Sequence, residues 1–144
     1  MLWHLYIRDG TAYVPVVART EAGFYMDIDP VAVIRVTDTE GLQRAIKDAM
    51  SKGNPIVPTP TRATFPKPVV LKHTKFKTWS AFGTGAECFE ICEKGNIFQI
   101  QQAQKTPSGG WEDNPAKIES LPPGTTPADV ARRVVAMVQF AINH

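Results

Sequence analysis

The sequence is poor in the residues on which chemistry is usually built. Its 144 residues include two cysteines and three histidines. A structural zinc site takes about four ligands at short paired spacings, and Cys88, Cys92, His4, His73 and His144 do not supply them. The cysteines fall four apart in what reads as one strand, where a rise of roughly 3.3 Å per residue separates them by ~13 Å. A disulfide needs Cα atoms within about 7 Å, so reduced thiols in a cytosolic protein are expected. Glycine-rich phosphate loops are also missing: Gly83-Thr84-Gly85 lacks both the further glycine of a dinucleotide loop and the Lys-Ser/Thr of a phosphate loop. Ser80 has no glycine elbow around it. No catalytic motif, metal or cofactor is expected on these grounds, and the chain reads as non-enzymatic.

Long apolar runs are absent too. Nothing approaches the ~20 residues that span a bilayer, and the opening MLWHLYIRDG is interrupted by His4 and Arg8 before it can serve as a secretion signal. A membrane partner is not expected. The last scarcity is local. Residues 53–86 carry five Lys or Arg and not one acid, whereas residues 1–52 carry six basic and seven acidic side chains and residues 87–144 five and seven. The net charge of +2 therefore hides one basic segment, which argues against a polyanion binder that uses its whole surface.

What is there reads as a globular chain: 43% hydrophobic and 21% charged, a balance richer in core residues than disorder tolerates. Trp3, Leu5 and Ile7 alternate with His4, Tyr6 and Arg8, the pattern of a half-buried strand. Asp9-Gly10 favours a left-handed hairpin turn into TAYVPVVAR, where Pro15 calls for an edge position or a bulge. FYMDID alternates again, Pro30 interrupts, and VAVIRV follows, so four short strands fit residues 2–36. Leu42, Ala45, Ile46, Ala49 and Met50 then recur at helical spacing between a cap at Thr37 or Asp38 and a stop at Gly53. Residues 54–68 hold five of the twelve prolines and read as an extended crossing segment inside one domain spanning 1–144, a linker between two small domains being the alternative. VVLK reads as a short strand, KTWSAFGTGA as a short helix or turn, and AECFEICEKGNIFQIQQAQ as a hairpin turning at Lys94-Gly95-Asn96. A long loop leads to a final helix capped by Thr126, with Pro127 in its first position, Asp129 completing the box, and a stripe of Val130, Val134, Met137, Val138 and Ala141. The expected fold is α+β: a mostly antiparallel sheet of about six to seven strands with two main helices packed on it.

Three sets of residues are candidates for function. Asp27 and Asp29 share a strand face about 7 Å apart, a spacing suited to acid and base roles with a histidine, or to the plain polar side of a strand. Trp111, Glu112 and Asp113 follow Gly109-Gly110 in the long loop, where an aromatic beside two carboxylates is either a partner contact or a ring folded back over the sheet edge. The basic stretch RATFPKPVVLKHTKFKTWSAF, residues 62–82, combines Arg62, Lys67, Lys72, Lys75 and Lys77 with Phe76, Trp79 and Phe82. Those are the ingredients of a single-strand nucleic-acid groove. Trp79 and Phe82, three apart in a short helix, would however both turn inward. A basic face built on Lys72, Lys75 and Lys77 that docks onto an acidic protein surface uses the same residues without exposed rings.

The runs GFYMDIDPVAVIRVTDTEGLQRAIKDAMSKGNPIVPTP and FPKPVVLKHTKFKTWSAF give the chain a resemblance, extending from about Tyr6 to Phe140, to small bacterial immunity proteins of polymorphic toxin systems, in particular those of contact-dependent growth inhibition. The resemblance implies a cytosolic protein that neutralises one cognate toxin by covering its active site or a neighbouring surface. It transfers no individual residue, because contact surfaces in these proteins vary with the partner. Inhibitors of nucleases are often strongly acidic, whereas this chain is slightly basic, which leaves open a toxin with an acidic face or one bound away from its catalytic groove. The candidate partner contacts are Lys72, Lys75, Lys77, Trp111, Glu112 and Asp113, with nucleic acid as the alternative partner through residues 62–82.

Overall fold

The computed structural model describes residues 1–144, and in it the alternation at the start of the chain becomes β1 (Leu2–Arg8). Trp3, Leu5 and Ile7 are buried on one face, and His4 and Tyr6 meet on the other with ring centroids 5.4 Å apart. Asp9 and Gly10 take φ of 51° and 76°, the left-handed pair that matches strand twist, and β2 (Thr11–Thr20) returns antiparallel. β3 (Tyr25–Arg35) runs alongside β2, and its pairing jumps from Pro15↔Val31 to Val16↔Ile28. Residues 2–36 therefore make three strands rather than the expected four. Asp29 and Pro30 do not end the strand; they are taken up as a bulge opposite Pro15. Of the two positions open to a strand proline, Pro15 takes the bulge, because β2 is flanked on both sides.

Helix α1 (Thr39–Ser51) starts at Asp38, whose carboxylate accepts from the Gly41 N–H at 2.9 Å. β4 (Ile56–Val57) lies parallel to the end of β2. Val69–His73, expected as a strand, is a 3-10 turn in which the Leu71 N–H donates to the Pro68 carbonyl at 3.0 Å. An apolar run of three residues, Val69 to Leu71, fits either structure, and the burial of Val70 and Leu71 is served equally by the turn. Helix α2 (Trp79–Gly83) follows, capped by Thr78. The hairpin β5 (Glu87–Lys94) and β6 (Ile97–Gln102) turns at Gly95-Asn96. The stretch read as loop carries more order than expected: a ribbon of β7 (Gln104–Lys105) and β8 (Trp111–Glu112), and then β9 (Ile118–Ser120), which adds to the sheet edge beside β6. Helix α3 (Pro127–Asn143) opens with the Thr126–Asp129 capping box.

The result is an α+β fold with a mostly antiparallel seven-stranded sheet, in the order β3-β2-β1-β5-β6-β9 with β4 beside β2. Helices α1 and α3 cover one face. Leu42, Ile46, Val130, Val134 and Val138 are fully buried against Leu5, Phe89, Ile91 and Ile100, and each contributes about 1.5–3 kcal/mol by leaving water. The other face carries no long helix. It is covered by the 3-10 turn, α2 and the β7–β8 ribbon over a second, smaller core around Tyr6, Tyr13, Leu71 and Phe82.

One feature of the sheet positions everything on that second face. β1 and β2 pair only where Tyr6, Ile7 and Arg8 meet Tyr13, Ala12 and Thr11; beyond Tyr13 the strands part. Asn54 fills the gap as a surrogate strand. Its Oδ1 accepts from the Leu2 N–H at 3.0 Å, and its Nδ2 donates to the carbonyls of Leu2 at 2.8 Å and Val17 at 2.9 Å. Asn54→Ala strips three backbone groups of their partners at a partly buried site, and is expected to cost about 2–4 kcal/mol in urea unfolding. Asn54→Asp, which keeps the acceptor and loses both donors, is expected to rescue only part of that.

Candidate functional site

On the second face three strands contribute to one polar cluster. β1 supplies His4 and Tyr6, β3 supplies Asp27, and β5 supplies Cys88 and Glu90, with Glu90 directly beside His4 in the register. Asp27 reaches over β2 to join β1. One carboxylate oxygen accepts from the Tyr6 hydroxyl at 2.7 Å, and the other pairs with Nε2 of His4. The His4 and Asp27 side chains are only 15% and 10% exposed, so this link is largely sheltered from water. Gln101 on β6 donates to Asp113 at 2.8 Å and to Glu90 at 3.4 Å, which ties the cluster to the loop beyond β8.

Aromatic rings roof the cluster. Trp79 stands edge-on to Tyr6 at 5.2 Å and 89°, Trp111 lies 5.5 Å from Tyr6 and 5.7 Å from Trp79, and Phe82 stacks on Trp79 at 5.2 Å. Such pairs each add about 0.5–1.5 kcal/mol beyond burial. The electrostatics follow from this roof. Burial pulls the His4 imidazole toward neutrality, but the charge and hydrogen bond of Asp27 with the charge of Glu90 outweigh it, and its pKa ends above the ordinary value. Burial first, then the Asp27 charge, pushes the Tyr6 phenol well up; burial, then Glu90 and Asp27, does the same to the Cys88 thiol. Burial raises Glu90 as well. The raised His4 pKa favours a charge-assisted link to Asp27, while the phenol and thiol are held neutral, an arrangement that clamps strands together and keeps Cys88 from being a nucleophile at neutral pH.

Outside this roof, a cleft of about 570 Å³ opens between β3 and residues 66–77, and a smaller one of about 200 Å³ adjoins it. Asp27 lines both and Asp29 lines the larger. The two aspartates do not act as a pair: Asp29 is held by Lys72 and by His73 Nε2 at 3.3 Å, and the hydrogen bond from Lys72 is the main reason its pKa is lowered. Lys72 and Lys77 line the larger cleft together, while Lys75 lies off it with its ammonium 5.6 Å from the Phe76 ring. Trp111 is turned inward, and its neighbours Glu112 and Asp113 stay exposed, accepting from Gln104 at 3.1 Å and Gln101 at 2.8 Å. The two candidate sets therefore stand on different borders of the aromatic roof. Of the rings in residues 62–82, Phe82 is fully buried, Phe76 and Trp79 are half-buried, and Phe65 is exposed. Nowhere does the chain gather three or more His, Cys, Asp or Glu side chains in a metal-holding group. His4, Tyr6 and Glu90 went unmarked in the sequence, although alternation does place each on the polar side of its strand. The missing signal was the strand order, which alone brings Asp27 to them.

No protein-family model matches the chain, and no curated protein matches it. Among the solved structures that share its fold over nearly the whole length is a protein of unknown function from Neisseria meningitidis, with a TM-score of 0.63 and 11% identity over 96% of this chain and 95% of that one. Another is a chain of a CdiA-CT/CdiI toxin and immunity complex from Yersinia pseudotuberculosis, with a TM-score of 0.62 and 12% identity over 94% of this chain and 95% of that one. The resemblance to immunity proteins of contact-dependent growth inhibition thus has its counterpart in fold. No helix is long and apolar enough to cross a membrane.

The His4–Asp27 link has a pH signature. A histidine whose pKa is raised by folding adds stability that is complete below its unfolded value and is lost as pH rises through the folded one. Wild-type stability is expected to fall between about pH 6 and 8, and the His4→Gln variant, which has no proton to lose there, should show a flatter profile. Glu90, also raised, contributes a fall of the same sign that starts lower and persists in the variant. Urea unfolding across that range, wild type against variant, measures the difference.

Proposed function

We propose that this chain is an immunity protein: a non-enzymatic domain that acts in the bacterial cytoplasm by binding one cognate toxin and covering its active site or a surface beside it. The observation that carries the reading is the likeness in fold to a chain of the CdiA-CT/CdiI toxin and immunity complex, which takes in 94% of this chain and 95% of that one. The whole architecture is shared, not a fragment of it. The disposition of the polar groups supports the same reading, since they are largely spent on one another: Asp27 on His4 and Tyr6, Asp29 on Lys72 and His73. A preformed binding surface gains from such a frame, because little freedom remains to be lost on docking. An ordinary interface takes about 800 Å² from each partner. This chain exposes 8073 Å², so one face is ample.

Phe76, Trp79 and Phe82 pack inward and, of the rings in residues 62–82, Phe65 alone stays exposed, which favours a protein partner over single-stranded nucleic acid, since successive bases need several free rings. The test uses the toxic domain encoded by the reading frame directly upstream. Co-production with this chain is expected to restore growth, and inhibition in vitro should be complete at about one equivalent, with active, unmodified toxin recovered after the complex is dissociated. Inhibition at a small fraction of an equivalent would mean that the chain acts catalytically, and death of the co-producing cells would remove the immunity reading.

A further inference from the structure

We propose that the double cleft along Pro66–Pro68 is the surface that receives the toxin, and that it takes an acidic segment of that protein, an apolar side chain flanked by carboxylates. This deepens the immunity reading and rests on it. The two cavities share Met26, Asp27, Pro66, Lys67 and Pro68, so together they form one groove along both flanks of this short segment. Proline fixes φ, and a wall made of Pro66 and Pro68 stays in shape without a partner.

The charge of the groove is unbalanced. Its two acids are already engaged, Asp27 by His4 and Tyr6 and Asp29 by Lys72 and His73. Lys67 and Lys77 are exposed, line the larger cavity and make no salt bridge; no acid lies anywhere in residues 53–86 to answer them. Partner carboxylates would supply what the chain withholds. Between the lysines the groove is apolar, with Ile28, Leu71 and Phe76 in the larger cavity. At the mouth of the smaller one Phe65, 60% exposed, stacks on Phe24, 39% exposed, with ring centroids 6.5 Å apart. An exposed aromatic pair beside unanswered cations is the composition of an interface centre with a charged rim. A nucleic-acid chain suits the groove less well, because the rings on its floor, Phe76 and Trp79, are packed against Phe82 and are not free to stack on bases.

The experiment measures binding of the full-length chain to the purified toxic domain from the upstream frame at low salt. Lys67→Glu/Lys77→Glu is expected to weaken binding at least tenfold, mostly through slower association, and Lys67→Gln/Lys77→Gln to weaken it less. Lys47→Glu/Lys52→Glu changes the net charge equally on α1 and its C-terminal cap, behind the sheet, and should leave affinity within about twofold. Thermal unfolding checks each variant; if the reversal does not fold, the glutamine pair decides. If wild type and both cleft variants bind alike, or the α1 variant loses as much, the groove is overturned while the immunity reading stands. If wild type neither binds nor protects, both fall. Binding of labelled single-stranded RNA or DNA by wild type, lost in the cleft variant, would assign the groove to nucleic acid and overturn the proposal.

Discussion

The second face of this protein exists because β2 lets go of β1. The ladder ends at Tyr13, two residues before Pro15, which has no N–H to donate, and the end of β2 pairs with β4 instead. Two β-strands cannot part inside a protein without leaving backbone groups to be satisfied. Asn54 meets that need in the plane of the sheet, and Asp27 spans the gap above it by joining β3 to His4 and Tyr6. Side chains thus do across the opening what the backbone does elsewhere.

The two faces therefore differ in kind. Behind the sheet, α1 and α3 bury aliphatic side chains in a continuous core whose energetics are those of burial alone. In front, a smaller core of rings closes over a buried carboxylate, an imidazole, a phenol and a thiol. Buried polar groups are costly unless each finds a partner, and here most find one another. The front face thereby keeps a fixed shape with little aliphatic bulk, and its lysines remain free to face outward.

Much of this was legible locally. The alternation of β1, the turns at Asp9-Gly10 and Gly95-Asn96 and the Thr126–Asp129 box are each decided within a few residues and stand where the sequence puts them, while of the two caps open to α1, Thr37 and Asp38, the structure uses Asp38. Other features depend on distant contacts. Pro30 looks like the end of a strand until β2 is seen to carry Pro15 opposite it, and Val69–Leu71 satisfies a strand and a 3-10 turn equally well. β9 is too short to announce itself and pairs only because β6 offers an edge. For the site, the sequence could mark Asp27, Lys72, Lys77 and Trp111 one at a time. Their grouping follows from strand order, which no local pattern encodes.

The central place of β1 also bears on how the chain is made. Its second neighbour, β5, spans residues 87–94, so Leu2–Ile7 must wait for Glu87–Cys92 before that edge is closed. Pairings between such distant segments close slowly and leave an apolar strand edge unguarded in the meantime. Formation of the whole sheet therefore turns on one long-range closure, between β1 and β5.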